Sequence, residues 1–204
     1  MKIFYEDLIY CDFIDELERQ KVLIEQREDK KVKKSLAIEI DKEWARVSGI
    51  IKDLEVYEQD MFIFEFQEFV AEKIIDYFNE VSEKFQKTYA IFENQIAKVG
   101  KGKLFDFATY PIIEEMNNVV NVLKHGKDGR SYKALQTANS KFLNNPTEFL
   151  SLALDIPTNV IMQIIEAKYS GLMLNLEYCD LTKFLDEAVN AWRNILADNA
   201  AKRV

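Results

Sequence analysis

A run from residue 59 to residue 98 contains neither glycine nor proline, the two residues that most often interrupt a helix. Apolar side chains recur through this run with a helical period. They are Phe62, Phe66, Phe69, Val70, Ile74, Tyr77, Val81, Phe85, Tyr89, Phe92 and Ile96. The pattern predicts one helix of about 60 Å, at about 1.5 Å per residue, or two helices with an unmarked break. Either outcome favours a helical fold for the chain.

The rest of the chain is also poor in turn residues. Six glycines and three prolines are too few for the many tight turns of an all-β fold, and hydrophobic residues (48%) suffice for a sizeable core. Further helical patterns lie at residues 3–26, 35–57, 111–125, 131–143 and 180–199. We predict an all-α or mainly α protein, an irregular antiparallel helical bundle. A single domain over residues 1–204 is expected, with N-terminal helices in 1–58 and the bundle core in 59–199.

One segment near the C-terminus has a different pattern. Every second residue from Leu172 to Tyr178 is a leucine or a tyrosine, which is the period of a strand. The apolar run from Val160 to Ile165 could pair with it, although a run this short fits a helix equally well. We therefore predict a small C-terminal β-hairpin, with a helix as the alternative for residues 160–165.

Charge and cysteine content argue against several classes of function. A formal net charge of −8 disfavours broad, nonspecific nucleic-acid binding, which needs a basic surface. Cys11 and Cys179 have neither metal-ligand nor disulfide spacing, so a reducing cytoplasm is the expected location. With a single histidine, we expect no His-rich metal site, no metal and no cofactor. The chain has no run of about 18 apolar residues and its N-terminal segment is unlike a signal peptide, so no membrane association is expected.

The segment from Tyr110 to Tyr132 holds the only histidine. Pro111 is well placed in the first turn of a helix, and Gly126 can end that helix at positive φ. The apolar stripe of this helix consists of Ile112, Ile113, Met116, Val119, Val120 and Leu123. The opposite face carries Glu114, Asn117, Asn118, Asn121, Lys124 and His125. Because asparagine is a mediocre helix former, three asparagines on one face indicate contacts outside the helix.

A loop flanked by two glycines follows this helix at residues 126–130. Lys127 and Arg130 in the loop and Lys124 before it form a positive patch in an acidic chain. Ser131 is positioned to cap the next helix, whose first N–H groups can bind an anion such as phosphate. The glycine spacing matches neither a P-loop nor a dinucleotide-binding motif. We predict a binding site for RNA or another phosphate-bearing ligand made by Asn117, Lys124, Lys127, Arg130 and Ser131.

Asn121 and His125, at the end of one predicted helix, resemble a motif of the HEPN superfamily. HEPN domains are helical, dimerise around RNA and are common in bacterial toxin–antitoxin and antiphage defence systems. Active members are metal-independent ribonucleases with an arginine, then a polar residue that is often asparagine, then a histidine. The segment VNVLKHGKDGRS (residues 120–131) is also similar to uncharacterised bacterial proteins with an Asn-x-x-x-His-Gly helix end. The resemblance implies that His125 is an acid or base and that Asn121 positions the phosphate.

The arginine of the HEPN motif is missing from this chain. It would stand at Asn118, Val119 or Val120, and none of these is an arginine. The resemblance therefore implies a degenerate HEPN-like protein that binds RNA or a phosphate-bearing ligand, with slow cleavage or none. For cleavage, Lys124 or Arg130 would have to stabilise the developing charge, and lysine lacks the two-pronged donor geometry of arginine.

Other functions are compatible with the same residues. A lone histidine at a helix C-terminus often only complements the helix dipole, or is buried for structural reasons. The acidic surface and the aromatic stripe fit an interaction or structural module without chemistry, whose partner is a basic protein or another copy. The stripe also predicts a symmetric homodimer. A carboxylate–metal enzyme using Glu65, Glu68 and Glu72, which share a helix face, is the least favoured alternative.

Overall fold

The structure, a computed structural model, describes residues 5–26, 29–99, 111–143, 158–169 and 173–201. This part is 90% helical and contains no strand, which confirms the all-α prediction. Its seven α-helices are α1 (Tyr5–Glu25), α2 (Asp29–Ile51), α3 (Val56–Val99), α4 (Pro111–His125), α5 (Arg130–Thr137), α6 (Thr158–Lys168) and α7 (Tyr178–Ala201). Two short 3-10 turns, Gly126–Asp128 and Lys141–Leu143, precede and follow α5.

The longest element, α3, is one uninterrupted helix of 44 residues. At about 1.5 Å per residue its length is about 66 Å. Of the two alternatives for residues 59–98, the structure therefore has the single helix. No glycine or proline weakens its backbone, and apolar partners are available from Phe66 to Ile96.

The N-terminal half of α3 packs against α2 and α6 in the first of two cores. This core consists of Leu36, Ile40, Val47, Phe66, Val70, Ala71, Ile74, Ile161, Ile164 and Ile165. At its edge, Lys168 Nζ lies 3.1 Å from Glu68 Oε1 and 2.8 Å from Glu72 Oε1. Two of the three glutamates considered as metal ligands thus pair with a lysine that joins α3 to α6.

The C-terminal half of α3 packs against α1, α4 and α7 in a second, larger core. Phe92 on α3 meets Phe184 edge-to-face with ring centroids 5.4 Å apart, and Phe13 meets Trp192 in the same way at 5.2 Å. Such pairs add to the free energy gained by burying the rings. Both cores include buried residues of α3.

Most aromatic rings of the apolar pattern on α3 are buried within the chain. Phe66, Phe85, Tyr89 and Phe92 are all at least 95% buried. The excess ring surface that we expected to drive dimerisation is therefore largely absent from this part of α3. A dimer stays a prediction, but these rings no longer support it.

The predicted C-terminal hairpin is absent from the described part of the chain. Val160–Ile165 lies within α6, and residues 173–177 have no regular secondary structure. In this segment the Asn175 N–H donates to the Phe142 carbonyl, and the Leu176 N–H donates to the Leu174 carbonyl. The alternation of side chains is nevertheless meaningful, because Leu174, Leu176 and Tyr178 are buried in the second core while the residues between them are half-buried. A single irregular segment lying on the core therefore buries every second side chain, as a strand would, without a neighbouring strand.

Several boundaries differ from the sequence-based expectations. Helix α2 begins at Asp29 instead of residue 35, because charged residues continue the helix, and α3 begins at Val56. Ser131 does not cap α5: the N-cap is Gly129, in extended backbone, and no side chain caps this end.

Two phenylalanines on α3 give a matched test of this packing. Phe92 is fully buried and Phe64 is 50% exposed. Phe92→Ala should lower the free energy of unfolding by about 3 to 5 kcal/mol, because it leaves a cavity in the second core. Phe64→Ala should change it by no more than about 0.5 kcal/mol. Denaturant unfolding followed by far-ultraviolet circular dichroism measures both, and equal losses would contradict the assignment of the core.

Candidate functional site

Helix α4 carries the segment that the sequence singled out. Pro111 is its first residue, and Gly126 follows its last residue with φ +73°, as the sequence predicted. The inward face is broader than the predicted stripe, since Val122 is buried as well. Neighbouring helices α3, α5 and α7 all pack against α4. The helix is therefore held on several sides, and its C-terminal end leads directly into the turn before α5.

The asparagine face of α4 lies partly against α3. We call the hydrogen-bonded group of Tyr89, Asn117 and Asn121 the internal seam. Tyr89 on α3 donates its hydroxyl hydrogen to Asn117 Oδ1 at 3.0 Å, and Asn121 Nδ2 donates to the same oxygen at 3.2 Å. All three asparagines of this face, Asn118 included, are half-buried. Burial raises the pKa of Tyr89, and the charge of Glu93 adds to this, so the hydroxyl stays a donor. Asn117 and Asn121 thus have structural partners that explain their presence.

A second anchor connects α4 to the end of α5. Ser140, which is buried, donates its hydroxyl hydrogen to Glu115 Oε1 at 2.6 Å. One residue further on, the Lys141 ammonium is hydrogen-bonded to the buried carboxylate of Asp180 at the start of α7. Burial raises the pKa of Asp180, against the lowering effect of Lys141. Both ends of the α5 region are therefore fixed, one by the backbone of α4 and the other by these two contacts.

The basic side chains of the predicted patch do not all have the same surroundings. Lys124 Nζ lies 3.9 Å from Glu93 Oε2 on α3, a weak surface pair. His125, Lys127 and Arg130 are exposed and form no ion pair with any described residue. We call these three residues the turn cluster. It follows the C-terminal end of α4, through the 3-10 turn, to the first residue of α5.

The turn between α4 and α5 leaves room for a ligand near the backbone. A Cβ at Gly126 would have no atom within 4 Å, and a Cβ at Gly129 would meet only the backbone nitrogen of Ser131, at 3.9 Å. Ser131 itself is half-buried in the first turn of α5. The backbone at Gly126 and Gly129, between the residues of the turn cluster, is therefore open to a ligand.

The structure also shows which of Asn118, Val119 and Val120 could present an arginine to solvent, as the resemblance to the HEPN motif would require. Val119 and Val120 are fully buried in the second core, so neither position could present an arginine to solvent. Asn118 is the one remaining position, and it is half-buried. Sequence reasoning missed Tyr89, Glu115 and Ser140, because their hydrogen bonds join residues that are far apart in the chain. The one available signal was a tyrosine within an otherwise apolar stripe, since a buried hydroxyl needs a partner.

The described ranges also bear on metal binding and on membrane insertion. They contain no group of three or more His, Cys, Asp or Glu side chains placed to hold a metal ion. None of their helices is long and apolar enough to cross a membrane. Cys11 and Cys179 are both exposed and form no disulfide.

Comparison with protein-family models, with curated proteins and with solved structures gives no match. The case for a function therefore depends on the geometry and charge of the residues themselves.

Neighbouring asparagines on α4 give a matched test of the internal seam. Asn117→Ala should lower the free energy of unfolding by about 1 to 3 kcal/mol, because it leaves the buried Tyr89 hydroxyl without its acceptor. Asn118→Ala also replaces asparagine by a better helix former, but it breaks no such hydrogen bond. It should therefore leave the free energy of unfolding unchanged or raise it slightly. In an Asn117→Ala/Tyr89→Phe double mutant the two losses should not add. Equal unfolding midpoints for the two alanine variants would show that the seam contributes nothing.

Proposed function

We propose that this chain is a degenerate HEPN-like bacterial protein that binds RNA or another phosphate-bearing ligand at the turn cluster, with slow cleavage or none. The observation that carries the proposal is that His125, Lys127 and Arg130 are exposed and unpaired among the described residues, in a chain of net charge −8. A cytoplasmic role in antiphage defence or a toxin–antitoxin system is part of the same proposal, and it derives from the resemblance to HEPN proteins.

The chemistry of the turn cluster suits a phosphate group. Arg130 offers a planar pair of N–H donors that matches two phosphate oxygens, and Lys127 adds a second positive charge. His125 contributes a ring N–H or, when protonated, a third charge. Because none of these groups has to leave an ion pair first, a phosphate would displace only water from them. Asn117 and Asn121 support the site from behind through the Tyr89 seam.

Strong cleavage is not expected from this arrangement. General acid–base catalysis by His125 would need a partner that stabilises charge on the phosphate, and the HEPN arginine is missing. Lys124, the nearest replacement in sequence, is paired with Glu93. Asn121 donates to Asn117 and is only half-exposed. In HEPN proteins two copies bring their motifs together. If this chain cleaves RNA, we therefore propose that it does so as a homodimer, which brings a second His125 to the site.

Removing the two permanent charges of the turn cluster tests binding. Lys127→Ala/Arg130→Ala should abolish binding of a short single-stranded RNA, measured by fluorescence anisotropy. For the wild type, two phosphate contacts predict a slope of log affinity against log salt of about −1.4 to −1.8. Lys42→Ala/Lys52→Ala is the matched control, because both lysines are exposed, distant in sequence and unpaired among the described residues, and the net charge changes equally.

The outcomes of this experiment separate the alternatives. Equal affinity of the turn-cluster variant and the wild type would refute the site. Absence of binding by every protein, across mixed RNA and nucleotides, would favour the interaction module without chemistry. Rapid metal-independent RNA cleavage that is lost in His125→Ala would show that catalysis, and not binding alone, is the function.

A further inference from the structure

The first two turns of α3 expose apolar side chains that neither core covers. Tyr57 is 74% exposed, Met61 56% and Phe64 50%, and none of them packs against either core. Their spacing of four and three residues places them on one face of the helix. Phe66 and Val70, which bury against α2 and α6, lie on the opposite face. We call these three residues the apolar stripe of α3.

The surroundings of the apolar stripe are acidic. Between Asp53 and Glu72 the sequence contains no lysine or arginine. Helical geometry places Asp60 on one side of the stripe and Glu65 on the other. Both carboxylates are exposed. The charge of Glu65 acts on Arg46 of α2, but the Arg46 guanidinium is hydrogen-bonded to Glu43 and not to Glu65. An apolar strip of this length with negative charges on both sides is unusual for a surface that faces only water.

We infer that this face of α3 is a docking site for a cationic amphipathic helix of another protein. Tyrosine, methionine and phenylalanine are the residues enriched where helices bind apolar ridges, and their spacing matches the anchors of a helix laid along α3. Positive side chains on both sides of the partner's apolar face would lie against Asp60 and Glu65.

A second copy of the same face is a poor occupant for this site. Apposing two such segments would bring Asp60 and Glu65 of one copy against the same acids of the other. No basic residue lies between Asp53 and Glu72, and Arg46 of α2, whose charge interacts with Glu65, is already hydrogen-bonded to Glu43. Like charges placed together across an interface cost free energy and exclude wrong partners. The charge pattern therefore selects a basic partner. This docking face is separate from the turn cluster, and neither proposal depends on the other.

The test uses the full chain and two designed peptides of about four helical turns with the same leucine positions. One peptide carries lysines and the other glutamates at the flanking positions. Isothermal titration calorimetry should detect binding of the lysine peptide alone. Met61→Gln/Phe64→Gln should weaken it by about tenfold or more, as expected for the loss of two central anchors. Asp60→Asn/Glu65→Gln should weaken it and reduce its dependence on salt.

Matched controls distinguish docking from general attraction to an acidic protein. Val22→Gln/Ile38→Gln removes two other exposed apolar side chains, and Asp12→Asn/Asp15→Asn removes two other exposed carboxylates. Both controls should bind the lysine peptide as the wild type does. Circular dichroism confirms that each variant is folded.

Three results would overturn the inference. The first is equal weakening by the stripe variants and their controls. The second is equal binding of both peptides. The third is a dimer, seen by light scattering, that Met61→Gln/Phe64→Gln converts to a monomer, since a second copy would then occupy the face.

Discussion

The packing of this protein depends on the continuity of α3. Along α3, the last buried residue of the first core is Ile74, and the first buried residue of the second core is Phe78, about one helical turn later. No break in α3 separates the two sets of residues. The direction in which the second core lies, relative to the first, is therefore fixed by the geometry of this helix. Helices α1, α2, α4, α6 and α7 all pack against α3, and in the second core α1 and α7 also pack against each other. The position of α4, and hence of the turn cluster, follows from where the second core lies on this helix.

Charge is distributed unevenly over this scaffold. The acidic excess of the chain includes the carboxylates beside the apolar stripe of α3, whereas the unpaired positive groups near the end of α4 stand in one short turn. A net charge of −8 therefore conceals two surfaces of opposite preference. We propose a basic helix with apolar anchors as the partner of the first surface and a phosphate group as the ligand of the second. One chain that offered both would be able to hold a protein and an anionic ligand at the same time.

Periodicity predicted the elements well, and it predicted side-chain partners poorly. The spacing of Phe66 to Ile96 was enough to predict helical structure, because helix geometry is local, but it left open whether α3 is one helix or two. The role of Asn117 could not be foreseen, since its donor Tyr89 lies on another helix and 28 residues away. Ser131 was expected to be the cap, but the N-cap lies two residues earlier, at Gly129. At Leu174 and Leu176 the alternation reported burial correctly, but the presence or absence of a neighbouring strand is set by tertiary packing.

The sharing of α3 has a consequence for how the protein loses its structure. Among the described helices, only α3 contributes fully buried residues to both cores, at Val70 in one and Phe92 in the other. Melting either core would remove the apolar cover from half of a helix whose hydrogen bonds continue into the other half. The two cores are therefore energetically coupled and should disappear together in a single cooperative transition. Slow amide exchange would then be seen along the middle of α3, where the two halves protect each other.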